Sequence, residues 1–118
     1  MSIKLSSRQQ AQLGFLDMAF SKVQRVQSLI EKLATPSEAE TAGRSLARIS
    51  DEIKSGASGM GLSKIADSAA NIGSLVRRSG AIPQRMRSLR EGLATLKINW
   101  DGARRSASIP EVQHSEEV

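Results

Sequence analysis

The stretch Ser50-Asp51-Glu52-Ile53-Lys54-Ser55-Gly56-Ala57-Ser58-Gly59-Met60-Gly61-Leu62 decides how this 118-residue chain is read. Apolar residues enter it at helical spacing, from Ile49 to Ile53, Ala57 and Met60, and a fresh stripe starts at Leu62 and Ile65. Gly59 and Gly61 lower helical propensity between the two. One helix therefore ends here and another begins within a few residues.

Toward the N-terminus, Ala39, Ala42 and Leu46 carry the first stripe back to Thr35-Pro36, where proline suits an opening turn and Thr35 is a natural cap. Before that break, Leu13, Leu16, Phe20, Val23, Ile30 and Leu33 form an earlier stripe, widened by Phe15, Ala19, Val26 and Leu29 and headed by the candidate caps Ser6 and Ser7. Toward the C-terminus, Ala66, Ala69, Ile72, Leu75 and Val76 lead to Ser79-Gly80, with Gly80 suited to a left-handed helix end. Pro83 opens a last stripe of Met86, Leu89, Leu93, Leu96 and Trp100. The spacing predicts helices over about 7–34, 36–58, 62–79 and 82–100, and residues 101–118 read as a flexible tail. Connections this short make neighbouring helices antiparallel, so the expected fold is all-α, an up-down-up-down four-helix bundle in one domain over 1–100.

Composition agrees with that class. The chain is 39% hydrophobic and 25% charged, with three aromatic residues (Phe15, Phe20, Trp100) and few β-branched ones, a balance that favours helix over sheet. It has no cysteine, which removes disulfides and thiolate metal sites and fits a reducing compartment. No signal-peptide core follows Met1, and no apolar run is long enough to span a bilayer, so a cytoplasmic protein with no membrane association is expected. The net charge is +5. Residues 1–100 hold 15 Lys/Arg against 8 Asp/Glu and residues 101–118 hold 2 against 4, a basic body with an acidic tail.

Residues 51–61 resemble the signature of the histidine-containing phosphotransfer (HPt) domain family: histidine, any residue, an apolar residue, Lys, Gly, two small residues, two variable residues, an apolar residue and Gly. Ile53, Lys54, the small pair Gly56 and Ala57, Met60 and Gly61 match it, and Leu62-Ser63-Lys64-Ile65-Ala66 continues as the family's third helix does. Asp51 stands where the phosphorylated histidine would be, and Ser55 replaces the glycine one turn later. The motif covers about fifteen residues, and the implied architecture covers about 10–100. The resemblance implies an HPt-like bundle and a bacterial two-component partner, a response-regulator receiver domain or a histidine kinase, without phosphate transfer on this chain.

The residues can also be read without the family. If Ile49 and Ile53 face the core, Asp51 lies on the opposite side with Arg44, Arg48, Ser55 and Ser58. The expected docking residues are these five together with Lys54 and, on the next helix, Lys64. A surface ion pair between Asp51 and Arg44 or Arg48 is expected, while Gly56 and Ala57 serve equally well as a helix-packing surface. An aspartyl phosphate calls for Mg²⁺ held by further carboxylates, and none clusters around Asp51. His114 is the sole histidine and sits in the tail. With no metal-ligand set, phosphate loop or nucleophile motif, neither enzyme activity nor a cofactor is expected.

Other readings remain open. Arg77, Arg78, Arg85, Arg87 and Arg90 gather around the third turn, so a basic bundle that binds nucleic acid or another anionic surface is the alternative. The lack of stacking aromatics and of a DNA-reading motif disfavours nucleic acid. A helical adaptor that dimerises through apolar surface is a third possibility, and a monomer is expected.

Overall fold

In a computed structural model that describes residues 4–78 and 82–111, the chain forms four helices: α1 (Ser7–Lys32), α2 (Pro36–Gly59), α3 (Ser63–Arg77) and α4 (Ile82–Ala107). Each boundary has a local cause. Ser6 is extended, its hydroxyl accepts the Gln9 N–H at 3.0 Å, and the Gln9 side chain accepts the Ser6 N–H at 2.9 Å, closing a capping box. After Lys32 the next three amides bond to carbonyls three residues back, a tightening that ends α1 two residues before the expected 34. Thr35 is the extended N-cap and Pro36 the first helical residue, although the threonine hydroxyl makes no capping bond.

The α2–α3 connection explains the glycine at its centre. Gly61 has φ +71°, the Leu62 amide donates to the Ala57 carbonyl at 2.9 Å and the Gly61 amide to the Ser58 carbonyl at 3.1 Å. These two bonds are those of a Schellman turn, which needs a left-handed residue at that place. α3 stops at Arg77 because Arg78 is extended. The expected Gly80 helix end lies outside the described residues.

The clearest departure from the sequence reading is at the end of α4. The helix does not stop at Trp100 but continues through Ala107, so 101–107 is helix rather than tail. Ala107 is buried, Arg104 forms an ion pair with Asp17, and the Gln9 side-chain Nε2 donates to the carbonyls of Ser106 and Ile109. Contacts with α1 thus extend a helix whose own apolar stripe has thinned to alanines. Glu111 then accepts a hydrogen bond from Ser6.

α1 packs on α2 and α4, and α3 packs on the same two. Cross-helix hydrogen bonds and an ion pair fix the register: Gln12 to the Met60 carbonyl and Lys22 with Glu52 between α1 and α2, and Arg85 to the Val76 carbonyl and Asn99 to the Lys64 carbonyl between α3 and α4. Between α1 and α4 it is set by Glu31 with Arg90 and Leu16 with Trp100. In every pair, rising residue numbers on one helix meet falling numbers on the other.

The core follows the sequence stripes: Leu16, Val23, Val26, Ile30, Leu46, Ile53, Ile65, Ile72, Leu89, Leu96 and Trp100 are fully buried. Each such Leu or Ile contributes on the order of 2 kcal/mol relative to exposure. Trp100 is the largest, and its indole N–H donates to the Leu16 carbonyl at 3.3 Å. Phe20 departs from the expected core by remaining 38% exposed, its ring tilted against Trp100. No helix among the described residues is long and apolar enough to cross a membrane.

Candidate functional site: the outer face of α2

The second helix presents Arg44, Arg48, Asp51, Lys54, Ser55 and Ser58 to solvent, while Leu46, Ile49, Ile53 and Ala57 of the same helix are buried. The 3.6-residue period sends each group to its own side. Along this face Lys22, Arg44, Ala47, Arg48, Asp51, Glu52, Ser55 and Arg77 border an open, shallow groove.

Asp51 is not paired with Arg44 or Arg48 as the sequence spacing suggested. The Arg77 guanidinium of α3 donates to its carboxylate at 2.7 Å, and Arg44 sits 3.4 Å from Glu40 on its own helix. The cause lies in the α2–α3 contact. At Gly73 an added Cβ would stand 3.6 Å from Ser50 Cβ, 3.7 Å from Asp51 Oδ1 and 3.1 Å from an Arg77 guanidinium nitrogen. Glycine lets α3 come close beside Ser50 and Asp51, and Arg77, one turn later, meets the carboxylate. Ser50 is 1% exposed and its hydroxyl has no hydrogen-bond partner, a consequence of this same close packing. Lys22 of α1 approaches Glu52 at 3.5 Å on the other flank. The Lys22–Glu52 and Arg77–Asp51 pairs are about half exposed and Arg44–Glu40 is more exposed still, so each adds at most about 1 kcal/mol and serves chiefly to orient its side chains.

The small run behind Asp51 divides by role. Ala57 is fully buried, and a Cβ at Gly56 would lie 2.5 Å from the Phe15 ring, which packs tilted on Trp100 with centroids 5.9 Å apart. Gly56 and Ala57 therefore seat α1 on α2. Ser55 and Ser58 are left as the small exposed positions.

Lys64 does not join this face. It borders a separate groove with Arg8 and Arg105, and its carbonyl accepts from Asn99 of α4 at 3.3 Å. The arginine cluster is likewise dispersed: Arg77 is bound to Asp51, Arg90 makes two hydrogen bonds to Glu31, and Arg85 donates to the Val76 carbonyl at 2.8 Å. Arg78 and Arg87 are exposed. The two bonds from Arg90 hold the Glu31 carboxyl below its ordinary range and raise the Arg90 guanidinium in return. His114 lies outside the described residues.

Helical spacing gave no sign of Arg77 or Lys22, which reach the α2 face from other helices. A glycine in the middle of the α3 stripe was the available signal for the Arg77 approach, since Gly73 is otherwise an unfavourable helix residue. Among the described residues, no three His, Cys, Asp or Glu side chains are grouped so as to hold a metal ion. Comparison of the chain with protein-family models, with curated proteins and with solved structures finds no match.

Proposed function

We propose that this chain is a non-catalytic, HPt-like bacterial signalling protein. It binds a two-component partner, a receiver domain or a histidine kinase, through the outer face of α2 and modulates a phosphorelay without carrying phosphate. The observation that carries the reading is Asp51: it stands at the phosphoacceptor place of the motif, exposed on α2, with its carboxylate engaged by Arg77 at 2.7 Å. Imidazole suits phosphoryl transfer because it is both free and nucleophilic near neutral pH. A carboxylate bound to arginine offers instead a fixed hydrogen-bond acceptor whose charge the guanidinium offsets.

Around it, Arg44, Arg48, Lys54, Ser55 and Ser58 leave the helix accessible, with basic side chains that complement an acidic receiver surface. The mechanism is occupancy. A partner held on this face cannot simultaneously offer it to a working phosphotransfer protein, so the chain inhibits or sequesters that partner.

The test mixes the chain with each phosphorylated receiver and each histidine kinase of its source organism. At least one complex is expected, weakened by Arg48→Ala and by Asp51→Lys, with no acid-labile label on this chain. Label on the wild-type chain, or no receiver or kinase bound, overturns the proposal. An Asp51→His variant that accepts phosphate would add support, with Ser55 the remaining departure from the motif.

A further inference from the structure

At the opposite end of the bundle from the α1–α2 turn, the first turns of α1 and α3 and the last turns of α4 enclose a groove of about 500 Å³. That is the size of site able to hold a few side chains. Arg8, Lys64 and Arg105 border it, and no carboxylate does. Among the described residues the ion pairs engage Lys22, Arg44, Arg77, Arg90 and Arg104, and none engages these three cations. The grooves at Asp51 and at Arg85, by contrast, each include their own acids.

Apolar surface accompanies the charge. Ile98 is 68% exposed on the groove wall, with Leu62 and Ala103 half-buried beside it. The walls are held in place, since Asn99 donates to Ser68 Oγ at 2.6 Å and Gln12 to the Met60 carbonyl at 2.9 Å. Leu62, the N-cap of α3, has no side-chain acceptor, so the first amides of that helix favour the same sign of ligand.

We propose that this groove docks an acidic peptide segment of a partner protein, with one apolar side chain against Ile98 and Leu62 and carboxylates on Arg8, Lys64 and Arg105. The combination selects a peptide over nucleic acid, because no aromatic ring borders the groove for base stacking. An aliphatic patch also gives a bare anion nothing to cover. The site does not depend on the Asp51 face and is independent of the function proposed above.

The test titrates the full-length chain, labelled with nitrogen-15 and carbon-13, with acetyl-Glu-Glu-Leu-Glu-Glu-amide. Shifts are expected at the amides of Ser63, Lys64, Ile65 and Gly102 and at the Ile98 methyls. Affinity should fall about tenfold or more in an Arg8→Gln/Lys64→Gln/Arg105→Gln variant, and stay unchanged in Arg44→Gln/Arg48→Gln. It should also fall about tenfold when serine replaces the peptide's leucine. Equal binding of the serine peptide, shifts spread over all exposed arginines, or the same shifts with inorganic phosphate alone would each overturn the proposal. Tighter binding by a chain truncated after Glu111 would overturn it in favour of residues 112–118 as the occupant.

Discussion

Replacing Gly56 with alanine opposes two effects of comparable size. In an exposed helix interior the change adds about 1 kcal/mol of stability, because glycine loses more backbone freedom on folding. At Gly56, however, the new Cβ would stand 2.5 Å from Phe15 Cε1 and 3.1 Å from Cζ, where unstrained carbons sit about 3.5 Å apart. The ring must retreat by about 1 Å, and Trp100, 5.9 Å away between centroids, stands beside it. Overpacking of this kind costs about 1–3 kcal/mol, and disturbing the aromatic pair a further fraction of its roughly 1 kcal/mol. The net expectation is a loss of about 1–2 kcal/mol. Gly14 is the control, because a Cβ there meets nothing within 4 Å. Gly14→Ala should gain the full propensity term, about 1 kcal/mol. Urea unfolding followed by Trp100 fluorescence and by far-ultraviolet circular dichroism measures both. The two midpoints should separate by about 1–2 M if the slope is near 1.5 kcal/mol/M. Phe15→Ala should remove the penalty, so that in its background Gly56→Ala stabilises. If Gly56→Ala in the wild-type background is as stabilising as Gly14→Ala, the packing role assigned to Gly56 is wrong.

Three further outcomes follow from named contacts. Gly61→Ala forces a side chain into φ +71° and should cost about 1–2 kcal/mol, measurable as a fall in the denaturation midpoint with unchanged slope. Gln9→Ala removes one half of the capping box and the tie to the Ser106 and Ile109 carbonyls, for a loss of about 1–2 kcal/mol. Hydrogen exchange should then speed up at Ser106–Ile109 before it does in α3. Glu31 is held below its ordinary pKa of 4.5, first by the hydrogen bonds from Arg90 and then by its charge. A lowered carboxyl pKa stabilises the fold fully at pH well above 4.5, and that contribution is lost as pH falls below 4.5 through the folded-state value. The melting-temperature gap between wild type and Arg90→Gln should therefore narrow from pH 7 to pH 3, and a constant gap would contradict the linkage.

The α2 face was readable in one dimension because a helix repeats every 3.6 residues. Ile49, Ile53 and Ala57 mark the inside, so Arg44, Arg48, Asp51, Ser55 and Ser58 had to lie outside, and they do. The same periodicity could not tell a small residue that faces a partner from one that faces another helix. Gly56 resembles Ser55 in size, and only the Phe15 ring above it distinguishes them.

The sequence by itself determined four helices, their approximate limits and nearly all of the buried stripe, because capping, glycine turns and apolar spacing are local in the chain. Tertiary structure alone decided which cations meet which acids, since Arg77 reaches Asp51 across 26 residues and Arg90 reaches Glu31 across 59. It also decided that α4 continues to Ala107, where contacts with Gln9 and Asp17 replace a weakening apolar pattern. Helix packing likewise placed Lys64 at the groove bordered by Arg8 and Arg105 rather than beside Asp51. Charges on a helix surface carry almost no local signal of their partners, because the energy of an exposed pair is small beside the packing energy that places the helices.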